Sequence, residues 1–333
     1  LVVLPLVFFV RYRISRHPVH GAFLAEIFLW GFLFRVFLGL TIYHFGLELP
    51  LGWDSMTYDW YGLELAEVWR GGVGSDYLYH SQLAAPLSTA NWGILYWAAA
   101  FYYVFGHNLL LLNCVDSAIG AATAILVMKI ADALFGDREI SILSGLLAAF
   151  FPSIALWGSQ LLKEPLLLFC LCLIVYSMQR VAICFRLRYA VYIVGALLAI
   201  LALRFVIFYV MLFTLTTALI APSRPLSPVR LIRHLAVLGI VLAGVVYLVG
   251  AQEMLKGVEQ QLQLERIEMG RQDQAKGLGP TGEEVGSGFS IDVDISTPKG
   301  ALGHLPVGFL YFMFGPFPWD VWNLRQVTAL PEG

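Results

Sequence analysis

Continuous apolar runs of about 20 residues constrain this chain more than any other feature, because that is roughly the length a helix needs to cross a bilayer. In hydrocarbon every backbone N–H and C=O must be bonded within its own segment, and a helix does this. Of the 333 residues 59% are hydrophobic and only 13% are charged, with a mean hydropathy of +0.75, against roughly 25% charged in soluble domains. These values exclude a soluble globule. They predict an all-α, polytopic transmembrane helix bundle with on the order of seven to nine crossings. The runs lack the period-2 alternation of a membrane β-barrel. A formal charge of −2 and the lack of any long basic block leave no electrostatic footprint for nucleic acid.

Lys and Arg accumulate in cytoplasmic loops, and three loops qualify. They are 11–20 (Arg11, Arg13, Arg16), 180–188 (Arg180, Arg186, Arg188) and 222–234 (Arg224, Arg230, Arg233), none of which contains an acidic residue. Segment 47–89 holds Glu48, Asp54, Asp59, Glu64, Glu67 and Asp76 against Arg70 alone, and 251–300 holds nine acidic residues against five basic. Both are expected on the extracytoplasmic side. A helix over 21–46 then goes out, 189–221 forms a hairpin with Arg204 at or near its outer tip, and 235–250 goes out again. Segment 90–178 has to cross an odd number of times, yet it reads as four apolar stretches, 92–105, 109–131, 140–158 and 161–178. Either one of the four is shallow or re-entrant, or 180–188 is a basic loop on the outside; Pro152 and the Lys163-Glu164-Pro165 step interrupt the region and favour the first.

The organisation that follows starts with the end of an N-terminal membrane segment and a basic loop (1–20), then a transmembrane module (21–250) with its outer loop (47–89). An extracytoplasmic polar loop (251–300) comes next, reading as an amphipathic helix over 252–274 and as irregular over 277–300. A short interfacial or re-entrant apolar segment lies within 301–333, and the chain is expected to continue past both ends. Cys114, Cys170, Cys172 and Cys184 lie in or beside apolar runs without a His at metal-ligand spacing. They read as small core or lipid-facing residues.

The stretch Gly52-Trp53-Asp54-Ser55-Met56-Thr57-Tyr58-Asp59-Trp60-Tyr61-Gly62-Leu63-Glu64-Leu65-Ala66 holds most of the chemical interest. Asp54 can cap a helix on which Tyr58, Tyr61 and Leu65 share one face. Two readings stand side by side here. One is an amphipathic interface helix with aromatic anchors. The other is a carboxylate held at the membrane surface, ready to take a proton from an acceptor hydroxyl or to hold a metal ion. His80 shares the loop with Asp54, while His107 and His304 fall near expected interfaces without metal-ligand spacing. No phosphate loop, Gly-x-Ser-x-Gly elbow or CxxC pair occurs, so ATP-driven pumping, α/β-hydrolase chemistry and thiol redox lack support. Neither inverted repeats nor paired broken helices point to a transporter.

Several weak motifs occur in one order over roughly residues 30–220. They are Phe34-Arg35-Val36-Phe37-Leu38, Asp54 with Tyr58 four residues on, Asn91-Trp92-Gly93-Ile94-Leu95-Tyr96-Trp97, Val104-Phe105-Gly106, Ala133-Leu134-Phe135-Gly136-Asp137-Arg138, Phe151-Pro152-Ser153, Leu161-Leu162-Lys163-Glu164-Pro165 and Leu203-Arg204-Phe205. In that order and spacing the chain resembles the C-type integral membrane glycosyltransferases, in the branch related to protein O-mannosyltransferases and the aminoarabinose transferase of lipid A. The resemblance implies that family's helical fold in the plasma (inner) membrane. It also implies a polyprenyl-phosphate-sugar donor drawn from among the membrane lipids, and transfer to an acceptor on the extracytoplasmic face.

An acidic residue of the first outer loop is the family's catalytic base or metal contact, which corresponds to Asp54, so a divalent cation is an open expectation. The family often carries Asp-Glu at this point, whereas here Ser55 follows Asp54, and many relatives have Thr or another residue where Lys163 stands. A phosphate that gains charge as the sugar leaves is stabilised by nearby cations, for which Arg204, Lys163 and Arg35 are the candidates. Arg35 and Lys163 also have protein partners within reach of the sequence, Glu26 and Glu164. Tyr58, Asp59, His80 and Glu164 complete the expected contacts to substrate or metal. Two other functions stay open, a non-catalytic subunit of a larger membrane complex built on such a scaffold, and a polysaccharide polymerase or ligase using a diphosphate-linked donor.

Overall fold

The computed structural model describes residues 21–47, 54–71, 93–183, 186–220 and 298–314, with Val7, Arg11, Tyr12, Ala236, Gly239, Ile240, Ala243, Tyr247 and Phe317 besides. Every regular element among them is an α-helix. In chain order these are α1 (Gly21–Phe45), α2 (Asp54–Trp69), α3 (Gly93–Phe105), α4 (Leu109–Phe135), α5 (Arg138–Phe150), α6 (Pro152–Trp157), α7 (Lys163–Ile183), α8 (Leu187–Leu203), α9 (Phe205–Ile220) and α10 (Pro298–Phe314). Among the described residues three stretches, Gly21–Phe45, Leu109–Phe135 and Lys163–Val181, are long and apolar enough to cross a membrane. The chain falls into two compact units, one comprising Leu1–Phe45 with Asp54–Val245, the other Gly46–Trp53 with Val246–Gly333. In the second unit α10 begins at Pro298, inside the stretch expected to be irregular. Proline is favoured at a first helical position because its missing N–H has no intrahelical partner there.

Local sequence explains the boundaries in the first unit. Asn108 caps α4, its side chain accepting the Leu111 N–H at 2.9 Å, and Gly136 closes that helix in the left-handed conformation at φ 63°. Asp137 at once caps α5, accepting the N–H groups of Glu139 at 2.7 Å and Ile140 at 3.1 Å. Pro152 then breaks the apolar run expected over 140–158 into α5 and α6.

Helix α4 is the centre of the unit, packed against α1, α5 and α7, while α2 lies on α3 and α8 bridges α7 and α3. Small residues allow the close approaches. A Cβ at Gly62 of α2 would meet that of Ala98 at 2.5 Å, and one at Gly39 of α1 would meet the Ser159 carbonyl at 2.6 Å. One buried cluster joins α1, α4 and α5 through Leu24, Phe28, Phe32, Ala124, Met128 and Ala149. A second joins α2 and α3 to the start of α4, Leu161 and Leu203. That second cluster gathers α2 and α3 at the bundle end formed by the start of α4, the α6–α7 turn and the end of α8. At 13 residues each, or roughly 20 Å, α3 and α5 are both shorter than the ~30 Å hydrocarbon layer.

Candidate functional site

Helix α2 packs one face against the bundle and leaves apolar side chains on the other. Leu65 and Ala66 are buried, Tyr58 and Tyr61 pack partly against the same cluster, and Trp60 is 71% exposed. Asp54 is its first residue and is exposed. One turn on, the Tyr58 ring lies under Lys163, with Nζ 5.0 Å from the ring centroid. Lys163, the first residue of α7, is also within electrostatic reach of Arg204, Asp54 and Glu164. Arg204 is the single non-helical residue between α8 and α9, extended at φ −150°, and its Nη2 donates to Glu164 Oε1 at 3.1 Å. Segments far apart in the chain therefore bring Asp54, Tyr58, Lys163, Glu164 and Arg204 to one end of the bundle.

Asp59 belongs to a neighbouring arrangement. Its carboxylate accepts the Tyr102 hydroxyl and faces Nε2 of His107 at 3.0 and 3.2 Å. Burial, reinforced by the Asp59 carboxylate, pushes ionisation of the Tyr102 hydroxyl upward, so this group is a donor throughout the physiological range. The phenol and the imidazole hold Asp59 against α3 and Gly106, which turns the chain at φ 79°. The sequence offered no signal for this set, because residues 59, 102 and 107 lie on separate segments with no shared spacing.

Arg35 stands apart from the cations at Lys163. It is fully buried, and its guanidinium donates to the carbonyls of Gly31 at 3.0 Å, Ala149 at 2.7 Å and Ala148 at 3.1 Å. The reason lies in the α5–α6 break. Pro152 has no N–H to give the Ala148 carbonyl, and the last helical bond of α5 runs from the Phe151 N–H to the Leu147 carbonyl at 2.8 Å. Arg35 supplies the missing donor, with its charge set against the negative end of the α5 dipole. Glu26 does not meet Arg35, because nine residues on one helix put the two on opposite sides. Glu26 pairs instead with Arg11 at 2.6 Å. Likewise Glu164 bonds Arg204, while Lys163 sits over Tyr58.

Beside the gathered side chains runs an apolar cleft of about 260 Å³ between α4, α6 and α7, lined among others by Thr123, Trp157, Leu168 and Leu171, with Glu164 on its wall. Two of its lining glycines, Gly120 and Gly158, back onto Arg35, where a Cβ would meet Nε at 2.9 and 3.0 Å. That Nε has no hydrogen-bond partner in the structure. Sequence reading also passed over Asp116, which is fully buried on α4 and accepts the Trp97 indole N–H at 3.1 Å.

His80 lies outside the described residues, as do 252–274 and most of 235–250. Among the described residues no three His, Cys, Asp or Glu side chains converge as a metal site. Asp54 and Glu164 share Lys163 as a neighbour, while Asp59 faces Tyr102 and His107. Cys114 and Cys172 are partly buried and Cys170 is buried, all three as free thiols. No family model, curated protein or solved structure matches this chain.

Proposed function

We propose that the chain is a polytopic membrane glycosyltransferase of the C-type architecture, moving a sugar from a polyprenyl-phosphate donor to an extracytoplasmic acceptor. The observation that carries this reading is the gathering of Asp54, Lys163 and Arg204 at one bundle end beside an apolar cleft. A reaction of this kind needs those parts together: a base, cations for a leaving phosphate and a wall for a hydrocarbon chain. In the proposed step the acceptor hydroxyl oxygen bonds to the anomeric carbon and Asp54 takes its proton. The bond from that carbon to the phosphate oxygen breaks, and the departing polyprenyl phosphate keeps the electron pair beside Lys163 and Arg204.

The Arg204–Glu164 pair does not block such a site. Its side chains are 48% and 43% exposed, and ion pairs of that kind contribute about 0–1 kcal/mol. A phosphate offering a bidentate contact to the guanidinium can displace the carboxylate. In this reading α4, the α5–α6 pair and α7 cross the membrane, the odd number that the expected topology requires of 90–178, while α3 stays at the outer end with α2. The fold then lies multi-pass in the plasma (inner) membrane.

The test is retention of polyprenyl phosphate by the purified full chain in native mass spectrometry, followed by transfer assays with a panel of polyprenyl-phosphate sugars. Retention that falls in Lys163→Met and Arg204→Gln, with turnover lost in Asp54→Asn, supports the reading. Full turnover in Asp54→Asn would falsify the mechanism. The pairing of Arg204 with a protein carboxylate favours one second reading, a non-catalytic subunit of a larger membrane complex. Stable co-purification with that complex and no retained lipid phosphate decides for it.

A further inference from the structure

At the opposite end of the same unit, four basic side chains surround one buried tyrosine. Tyr189, 5% exposed at the start of α8, accepts a hydrogen bond from Arg188 Nη2 at 2.8 Å, and Arg180 from the end of α7 bonds the same hydroxyl. The two guanidiniums are oriented by rings as well. Arg188 lies 4.8 Å from the Tyr189 centroid, and Arg180 lies 5.8 Å from that of Tyr176, which itself stands edge-on to Tyr189. Lys129 of α4 is within electrostatic reach of Arg180 and Tyr189. Gln179 ties α7 to α4 at this level by donating to the Ile130 carbonyl at 3.3 Å.

A pocket of about 100 Å³ opens between Arg180, Ile183, Arg186 and Tyr189, room enough for a tetrahedral oxyanion. Arg186 occupies the capping position of α8, and no side chain there accepts the first-turn N–H groups. The positive end of a 17-residue helix therefore adds to the same field. Snorkelling towards water accounts for Arg186 and Arg188 by themselves. It does not account for Lys129, six residues before the end of α4 and so about 9 Å inside it, nor for two guanidiniums converging on one phenol oxygen. Arg180, Arg186 and Arg188 are exposed at this end and concentrate positive charge around the pocket, which a bound anion offsets.

We propose that this pocket binds the phosphate group of an anionic ligand, either a phospholipid headgroup or free phosphate, with Arg180 and Arg186 as its principal contacts. The exposed Ile183, Leu187 and Val191 give an acyl chain an apolar surface beside the pocket, which makes the lipid headgroup the expected source. This site is independent of the chemistry proposed for the Asp54 end.

The test uses the full chain in phosphatidylcholine nanodiscs. One arm titrates phosphatidylglycerol and reads the lipids retained on ejection into the mass spectrometer. The other adds inorganic phosphate and reads the thermal midpoint. The expected result is retention of phosphatidylglycerol over phosphatidylcholine by about 10-fold or more, falling by about 5-fold per arginine in Arg180→Gln and Arg186→Gln. The exposed Arg138 at the same end is the control, and Arg138→Gln is expected to retain phosphatidylglycerol as the wild type does. An arginine-dependent midpoint shift with phosphate alone, without lipid preference, assigns the pocket to the free anion. Equal retention of both lipids by the wild type with no phosphate shift overturns the proposal, and this comparison needs no variant to fold. An equal loss in Arg138→Gln overturns it too, since that is diffuse membrane electrostatics.

Discussion

Replacing Arg35 by Met tests whether this residue holds the fold or touches a ligand. Methionine keeps most of the length and none of the donors, so the Ala148 and Ala149 carbonyls each lose a bond now made at 3.1 and 2.7 Å. An unsatisfied buried carbonyl costs about 1–3 kcal/mol. The Gly31 carbonyl adds less, because as a mid-helix acceptor it keeps the Arg35 backbone N–H. Removing a buried charge recovers part of the loss, which leaves a net destabilisation of about 2 kcal/mol or more. The assay is equilibrium unfolding in mixed micelles, followed by tryptophan fluorescence. Pro152→Ala makes the test specific by restoring an N–H four residues after Ala148. In that background Arg35→Met is expected to cost about 1 kcal/mol less than in the wild type. Unfolding of Arg35→Met within about 0.5 kcal/mol of wild type refutes the reasoning, as does strict additivity of the two substitutions. Lost lipid-phosphate retention at unchanged stability would instead make Arg35 a ligand contact.

Asp54→Asn is expected to lower sugar transfer by about 10²-fold or more, the scale of a lost general base, with retention of polyprenyl phosphate unchanged in native mass spectrometry. Gly62→Ala forces a methyl to within 2.5 Å of the Ala98 Cβ, and the α2–α3 pair is expected to loosen at a cost of about 1–3 kcal/mol, measured by the same unfolding titration. Asp59→Ala leaves the buried Tyr102 hydroxyl without its acceptor, a loss of about 1–3 kcal/mol that Asp59→Asn is expected to reduce by keeping a carbonyl oxygen. In a background without native cysteines, a membrane-impermeant thiol reagent applied from outside is expected to label Trp60→Cys and spare Ile183→Cys. These positions are 71% and 67% exposed, and the reverse pattern overturns the proposed topology.

Composition and local pattern carried much of the architecture. Long apolar runs required membrane-length helices, since hydrocarbon leaves the backbone no other partner. Pro152 marked a break through an effect that acts within a few residues, and the caps at Asn108, Gly136 and Asp137 act as locally, although the sequence reading passed over them. The spacing of Tyr58, Tyr61 and Leu65 marked the face of α2 that packs into the bundle, and the apolar lengths on either side placed Arg204 at the α8–α9 junction. Partner choice was a different matter. Arg35 bonds carbonyls more than 110 positions away, Asp59 meets Tyr102 and His107 across two turns, and Glu164 takes Arg204 over the adjacent Lys163. Each of these depends on which helices become neighbours and on the glycines that let them approach. Periodicity along one segment reports which face is apolar, and only the packed bundle decides what that face meets.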